Sequence, residues 1–337
     1  MKKARVLHAA IASGALTALA LTGCAAGGGG GSTGGSTGGT GDETITVGVS
    51  WDKMIGFREG EKAYLEQAAK ELGVELVFQD ADSDAQRQSS QIETMISQGA
   101  KGILVIPYDL EAIKADIDAA NAAGVPVVSF DQAPADVSWV AYHVGGDPYA
   151  DGKAAGEAFV KIADGKPFQL VELQGALNND NGIQRSKGLN DAVASASNIE
   201  IISQVPTDWT PEKALAGVEN ALQSHPDLNG IYVPTEGQLS AVFSALQAVD
   251  RLKTVDEPGH VAIVSIDGDP SGCQALKDRL INLSLATDVP TMTKNALTQL
   301  LNAIKGQPVA KPELLPGIPV TPDTIAEKAP LVWGCQS

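Results

Sequence analysis

A chain of 337 residues, 43% of them hydrophobic, is long enough for two domains with substantial cores. Its formal charge of −17 excludes a nucleic-acid partner and reads as the solubility of a secreted surface rather than a cation site. Four scattered histidines (His8, His143, His225, His260) and three cysteines without metal-ligand spacing point to no zinc site and no cofactor.

Met1 to Gly23 has a basic start followed by an apolar segment, Val6 to Leu21, too short and too Ala-rich for a membrane span, and is read as an export signal. Removing Lys2, Lys3 and Arg5 with it leaves 21 basic against 41 acidic residues, a net charge of −20. Leu21, Thr22, Gly23 and Cys24 resemble the lipobox of bacterial lipoproteins, which implies cleavage before Cys24 and attachment of lipid to it. The stretch from Gly27 to Gly41, almost all Gly with Ser and Thr, is then a flexible tether within residues 24–42. Only Cys273 and Cys335 remain in the exported part, and two thiols in an oxidising compartment are expected to pair.

From Thr44 the pattern alternates strand and helix. Ile45 to Val49 precedes a helix with Phe57, Tyr64, Ala68 and Leu72 on one face and Gly73 as its stop. Val74 to Phe78 is a second strand, and Ser83 with Gln86 forms a capping box for a helix carrying Ile92 and Met95. The strand Gly102 to Ile106 is followed by a helix capped by Asp109, and then by Val125 to Gln132, reading VPVVSFDQ. This apolar, β-branched run ending in Asp131 and Gln132 predicts a buried parallel strand whose carboxyl end carries polar groups. After a short strand, Val140 to Val144, the rhythm restarts. It runs through Asp147 as a cap, strands Phe168–Leu173, Ile199–Val205, Leu228–Val233, Val261–Ile266 and Leu283–Ala286, and the helices between them. A helix from Met292 to Ile304 and a Pro-rich tail from Pro308 make sense if the chain returns to the first lobe and crosses back. The pattern predicts an α/β fold of two doubly wound parallel-sheet lobes joined by a multi-strand hinge. The N-terminal lobe is expected at 43–146 plus about 289–317, and the C-terminal lobe at 147–288 plus about 318–337.

In open α/β sheets the ligand crevice lies outside the carboxyl ends of the strands. Here those ends are carboxylates, amides and hydroxyls: Ser50 to Asp52, Pro107 to Asp109, Asp131 with Gln132, Thr235 with Glu236, and Asp267. With QSSQIETMISQGAKGILVIPYD (Gln88 to Asp109), VELQG (Val171 to Gly175), DWTPEKAL (Asp208 to Leu215) and SIDGDPSG (Ser265 to Gly272), the chain resembles the sugar-binding proteins of bacterial ABC importers, type 1 periplasmic binding proteins of the xylose- and ribose-binding branch. The resemblance covers Thr44 to about Pro308. It implies a neutral pentose, hexose or related polyol held between the lobes and delivered to an ABC permease and its ATPase subunits. The protein would act as a monomer held by lipid to the outer face of the cytoplasmic membrane.

The candidates that the resemblance carries over from the first lobe are Ser50, Trp51, Asp52, Phe57, Arg58, Tyr108, Asp131 and Gln132. From the second lobe come Asn179, Asp180, Asn181, Trp209, Glu236, Asp267 and Thr287 or Asp288. A sugar has a weakly apolar face and a polar rim, so aromatic rings and paired polar groups suit it. Phe57 is read as stacking residue or core, Asp180 as ligand or helix cap, and Arg185 as ligand contact or brace of its lobe. Gln132 departs from the Arg common in this branch, and Thr235-Glu236 from an Asn-Asp pair, which leaves the identity of the sugar open. The same fold would also serve a sensor presenting a sugar-like signal such as autoinducer-2 to a membrane receptor. No G-x-G-x-x-G follows a strand and no P-loop or G-x-S-x-G occurs, so an enzyme is not expected.

Overall fold

The computed structural model describes residues 44–336; the expected export signal, Cys24 and the tether lie outside the described residues. A first series runs β1 (Ile45–Trp51), α1 (Gly56–Leu72), β2 (Val74–Asp80), α2 (Ala85–Ser97), β3 (Gly102–Val105), α3 (Lys114–Ala122), β4 (Val127–Phe130) and β5 (Tyr142–Gly146). A second follows as α4 (Pro148–Ala163), β6 (Phe168–Gln174), α5 (Asp180–Val193), β7 (Ile199–Pro206), α6 (Pro211–Ser224), β8 (Gly230–Val233), α7 (Leu239–Ala248), β9 (Ala262–Asp267), α8 (Pro270–Lys277) and β10 (Leu283–Ala286). The chain ends with α9 (Val289–Ile304), β11 (Glu313–Leu315), β12 (Ile318–Val320), α10 (Ile325–Lys328) and a last turn at Trp333–Cys335.

Two six-stranded sheets result, in the orders β2-β1-β3-β4-β5-β11 and β7-β6-β8-β9-β10-β12. All pairings are parallel except that of β10 with β12. The strand order reverses beside β1 in one sheet and beside β6 in the other, which opens a crevice at the carboxyl ends of each. Central strands such as β4 and β8 are buried along their whole length, as expected of sheets covered by helices on both faces. Helix α9 returns to the first lobe, where Val289, Met292, Leu297 and Leu300 pack with Val47, Val49 and Leu65. The chain therefore passes between the sheets three times: after β5, after β10, and between β11 and β12.

Several local expectations are corrected. Ser83 does not cap α2: it has a φ of 64°, and Asp84 accepts from Arg87 N instead. Asp109 closes a turn through Glu111 N and Ala112 N, and α3 begins five residues after it, at Lys114. Helix α8 hides behind a run of Gly, Asp and Pro; Asp269 caps it through Ser271 N and Gly272 N, with Pro270 in its first turn. The tail holds two short strands, one on the edge of each sheet. Cys273 on α8 and Cys335 in the last turn are joined as a disulfide, with Cα atoms 5.5 Å apart.

At the crossings Asp151 of α4 is buried, and its Oδ1 accepts from Gly317 N at 2.8 Å, while Oδ2 has no partner among the described residues. Burial pushes its carboxyl up to about 6, with Arg185 opposing. The folded state then holds a proton that the unfolded state releases at its ordinary value, so this contribution is complete at about pH 4 and fades as pH rises through about 6. Asp151→Asn is expected to flatten that part of the stability profile and to gain up to about 3 kcal/mol over wild type at pH 7. Urea denaturation of both proteins from pH 4 to 8 checks it, and parallel profiles would refute it.

Candidate functional site

The crevice is built where strands stop in strained conformations. Asp131, directly after β4, has a φ of 58°; Asp267, at the end of β9, has a φ of 122°. Asp208 and Trp209, between β7 and α6, have φ values of 48° and 63°. Left-handed backbone at residues other than glycine costs free energy and persists only when surrounding structure enforces it. Here it is enforced by bonds such as Asp131 N to Val144 O (2.9 Å) and, at Trp209, by the ring lying on Gly175, where any Cβ would overlap it.

In the first lobe Arg58, in the first turn of α1, organises three carboxylates. Its Nε and Nη2 reach the two oxygens of Asp52 (2.9 and 3.3 Å), and its Nη1 reaches Glu61 Oε2 and Asp131 Oδ2 (both 2.8 Å). All four side chains are buried. Burial raises the Asp52 carboxyl above its ordinary value and the Glu61 carboxyl well above it, with Arg58 opposing in both cases. One guanidinium cannot offset three buried charges. Gln132 extends the network through its Nε2 to Asp52 Oδ2 at 3.0 Å.

In the second lobe Arg185 donates to Pro234 O (2.6 Å) and Asp267 Oδ1 (3.2 Å), while Thr235 Oγ1 donates to Asp267 Oδ2 (2.5 Å). Burial pushes the Asp267 carboxyl up to about 7 despite Arg185. The lobes meet directly: Asn181 Nδ2 donates to Asp131 Oδ1 (3.1 Å), Asn178 Nδ2 to Tyr108 O (3.0 Å), and Leu110 N to Asn178 O (3.2 Å). Between them lies a narrow space of about 20 Å³, room for about one water molecule with the lobes in this position, lined from both sides by Asp52, Ile55, Phe57, Arg58, Asp131, Gln132, Asn181, Arg185, Trp209, Thr235 and Asp267. Four buried polar atoms of these residues have no partner among the described residues: the donors Arg185 Nε and Trp209 Nε1, and the acceptors Gln132 Oε1 and Asn181 Oδ1.

Residues 47–308 match the model of the periplasmic binding protein domain family. The chain belongs to that family. It is a family of solute-binding proteins and not of enzymes, and membership implies export. Similar to this binding protein is the ribose import binding protein of Bacillus subtilis (strain 168), 26% identical over 269 residues that cover 79% of this chain and 84% of the relative. The xylitol-binding protein of Mycolicibacterium smegmatis is 27% identical over 269 residues, 80% of this chain and 72% of the relative. Among solved structures, a galactofuranose binding protein superposes with a TM-score of 0.78 at 26% identity, covering 84% of this chain and 97% of that one. Among the described residues of the binding protein no helix is long and apolar enough to cross a membrane.

The binding protein brings together Asp52, Phe57, Arg58, Asp131, Gln132, Asn181, Trp209 and Asp267 of the expected set. The other expected residues do not line the cavity, each for a local reason. Trp51 is core, stacked on Phe78 (5.9 Å) and edge-on to Phe130 (5.5 Å). Ser50 lies inside β1, where it accepts from Gln88 Nε2. Tyr108 contributes its backbone to the contact with Asn178. Asn179 caps α5 through Gly182 N, Asp180 follows it in the first turn, and Asp288 caps α9 through Thr291 N. Thr287 is buried beside the site and donates its N–H to Asp267 O. Glu236 faces away, bonded to the hydroxyls of Ser265 and Ser284 and to Asp269 N (2.7 Å), so it holds the start of α8. Thr235 takes the cavity position instead, and Ile55 in the loop before α1 was not anticipated. Arg185, left between two roles by the sequence, braces Asp267 and stands in the cavity wall.

Proposed function

We propose that this chain captures a neutral monosaccharide, pentose or hexose, or a related polyol between its lobes and delivers it, as a monomer, to an ABC permease and its ATPase subunits. The observation that carries this reading is the set of four unpartnered polar atoms around the cavity, two donors and two acceptors. A hydroxyl both donates and accepts, so a ligand bearing several can satisfy all four, whereas an anion would meet the buried carboxylates of Asp52, Asp131 and Asp267. Phe57 and Trp209 supply faces for its C–H surface. The similarity to proteins named for ribose and xylitol, one a sugar and one a polyol, supports the same class of ligand.

Lobes bounded at 43–146 plus 289–317 and 147–288 plus 318–337 would move about the three crossings, and ligand contacts from both lobes would favour the closed form. Thermal-shift measurements with D-ribose, D-xylose, D-galactose, xylitol and myo-inositol test the reading. At 100 times its Kd a binder adds about 2.7 kcal/mol of apparent stability, and no shift with any of the panel at millimolar concentration would overturn it.

The anchor proposed is lipid on Cys24, with the Gly-rich stretch as tether. With Cys24 lipidated and the Cys273–Cys335 bond formed on export, the natively isolated protein carries no free thiol. Cys24→Ser is expected to move the protein from the membrane fraction to the soluble one. Unchanged fractionation together with an unlipidated intact mass in wild type would refute the anchor.

A further inference from the structure

The last turn of the chain is fastened to the second lobe. Cys335 is bonded to Cys273 on α8, Gly334 N donates to Gly268 O (3.0 Å), and Val332 is buried in the second lobe's apolar core. Between them, Trp333 crosses to the first lobe. Its ring packs edge-on against Phe57 at 5.7 Å and lies on α1 at Gly60, where an added Cβ would overlap it. It is only 5% exposed and packs with the first lobe's core. Its Nε1 donates to the backbone carbonyl of Asp267 at 2.9 Å. Trp333 does not line the cavity itself, yet it touches one wall residue from each lobe: Phe57 through its ring, and the strained Asp267 through its N–H.

We propose that Trp333 is a positioning residue for the ligand site, a latch carried on the disulfide-anchored tail that holds Phe57 and Asp267 in place when the lobes are closed. The argument is geometric. The tail is tied to the second lobe by a covalent bond and backbone hydrogen bonds, while it meets α1 through the Trp333 ring on Phe57 and Gly60. Opening the cleft therefore parts the ring from Phe57 and Gly60 and leaves the tail where it is. The apolar area that Trp333 and Phe57 bury against each other is then buried in the closed form and exposed in the open one, so it shifts the equilibrium toward closure. The bond to Asp267 O fixes the backbone that presents the Asp267 carboxylate. This inference rests on the reading of the cleft as a hydroxyl-ligand site, but part of its test needs no ligand.

Small-angle scattering of the sugar-free protein gives the ligand-independent arm. Gly60→Ala, whose Cβ would meet the Trp333 ring only in the closed form, and Trp333→Ala are each expected to increase the radius of gyration relative to wild type. Unchanged scattering of both variants would overturn the proposal. The second arm uses the panel D-ribose, D-xylose, D-galactose, xylitol and myo-inositol as probes in calorimetric titration. For whichever probe wild type binds, Gly60→Ala and Trp333→Ala should weaken affinity at least about tenfold, within the usual range of conformational coupling. Trp333→Phe, which keeps a ring but loses the N–H, should fall between. Reducing the disulfide should weaken binding by wild type and add little in Trp333→Ala, since both act through the same ring. A merely structural tail would instead lower the melting temperature of the sugar-free protein in Gly60→Ala and leave its affinity at the wild-type value. If wild type binds none of these probes, the reading of the cleft is what fails, and the scattering arm still decides the latch.

Discussion

Arg58→Ala is expected to destabilise the folded protein by about 3–5 kcal/mol at pH 7, the cost of stripping the paired cation from buried opposite charge. Three buried carboxylates, Asp52, Glu61 and Asp131, converge on this guanidinium, and Glu61 Oε1 already lacks a partner among the described residues. Without Arg58 each carboxylate must either be buried charged or take up a proton, and burial already raises Asp52 and Glu61 with the cation in place. The variant's folded state will therefore bind more protons than its unfolded state. Its deficit should shrink as pH falls from 8 toward 5. Arg58→Lys should recover only part of the loss, because an ammonium cannot span three carboxylates as a planar fork does. Urea denaturation at pH 5 and pH 8 provides the measurement. A loss below about 1 kcal/mol, independent of pH, would mean that the three carboxylates do not depend on Arg58.

Much of this arrangement is legible in the sequence because it is local. The run VPVVSFDQ announces both a buried strand and the polar groups at its end, and Asp131 and Gln132 do line the cavity. The same holds for Asp267 after VAIVSI and for Trp209 before its helix. What fails is phase. Side chains alternate along an extended chain, so a shift of one residue at a strand end exchanges cavity for interior. Thr235 therefore faces the cavity while Glu236 is consumed behind it, and Asp52 faces it while Trp51 is core. Phase at these ends is set by left-handed residues such as Asp131 and Asp267, and no composition rule places those. Pairings across long separations were also out of reach. Nothing near Arg58 in the chain says that Asp131, 73 residues on, will share it, and nothing near Trp333 says that its ring will meet Phe57.

Asp131 and Asp267 present carboxylates from opposite lobes to one small space, so removing either should cost binding far more than it costs the fold. For Asp131→Ala the fold is protected by its surroundings: Arg58 keeps Asp52 and Glu61, and losing one of three crowded carboxylates relieves excess negative charge. Asp267→Ala takes the paired carboxylate from Arg185, which keeps its bond to Pro234 O, so Asp267→Asn serves beside it as the variant that keeps an acceptor. A carboxylate that accepts buried hydrogen bonds from a hydroxyl contributes about 1.5–3 kcal/mol. Each Ala variant should then bind about 10- to 150-fold more weakly. Trp209→Ala should also weaken binding through lost stacking, and more for a ring with a continuous C–H face, such as D-galactose, than for flexible xylitol. Calorimetric titration with the strongest binder of the sugar panel, alongside circular dichroism to confirm the fold, measures all of these. Wild-type affinity in both Asp variants, with the fold intact, would place the ligand somewhere other than between these two strand ends.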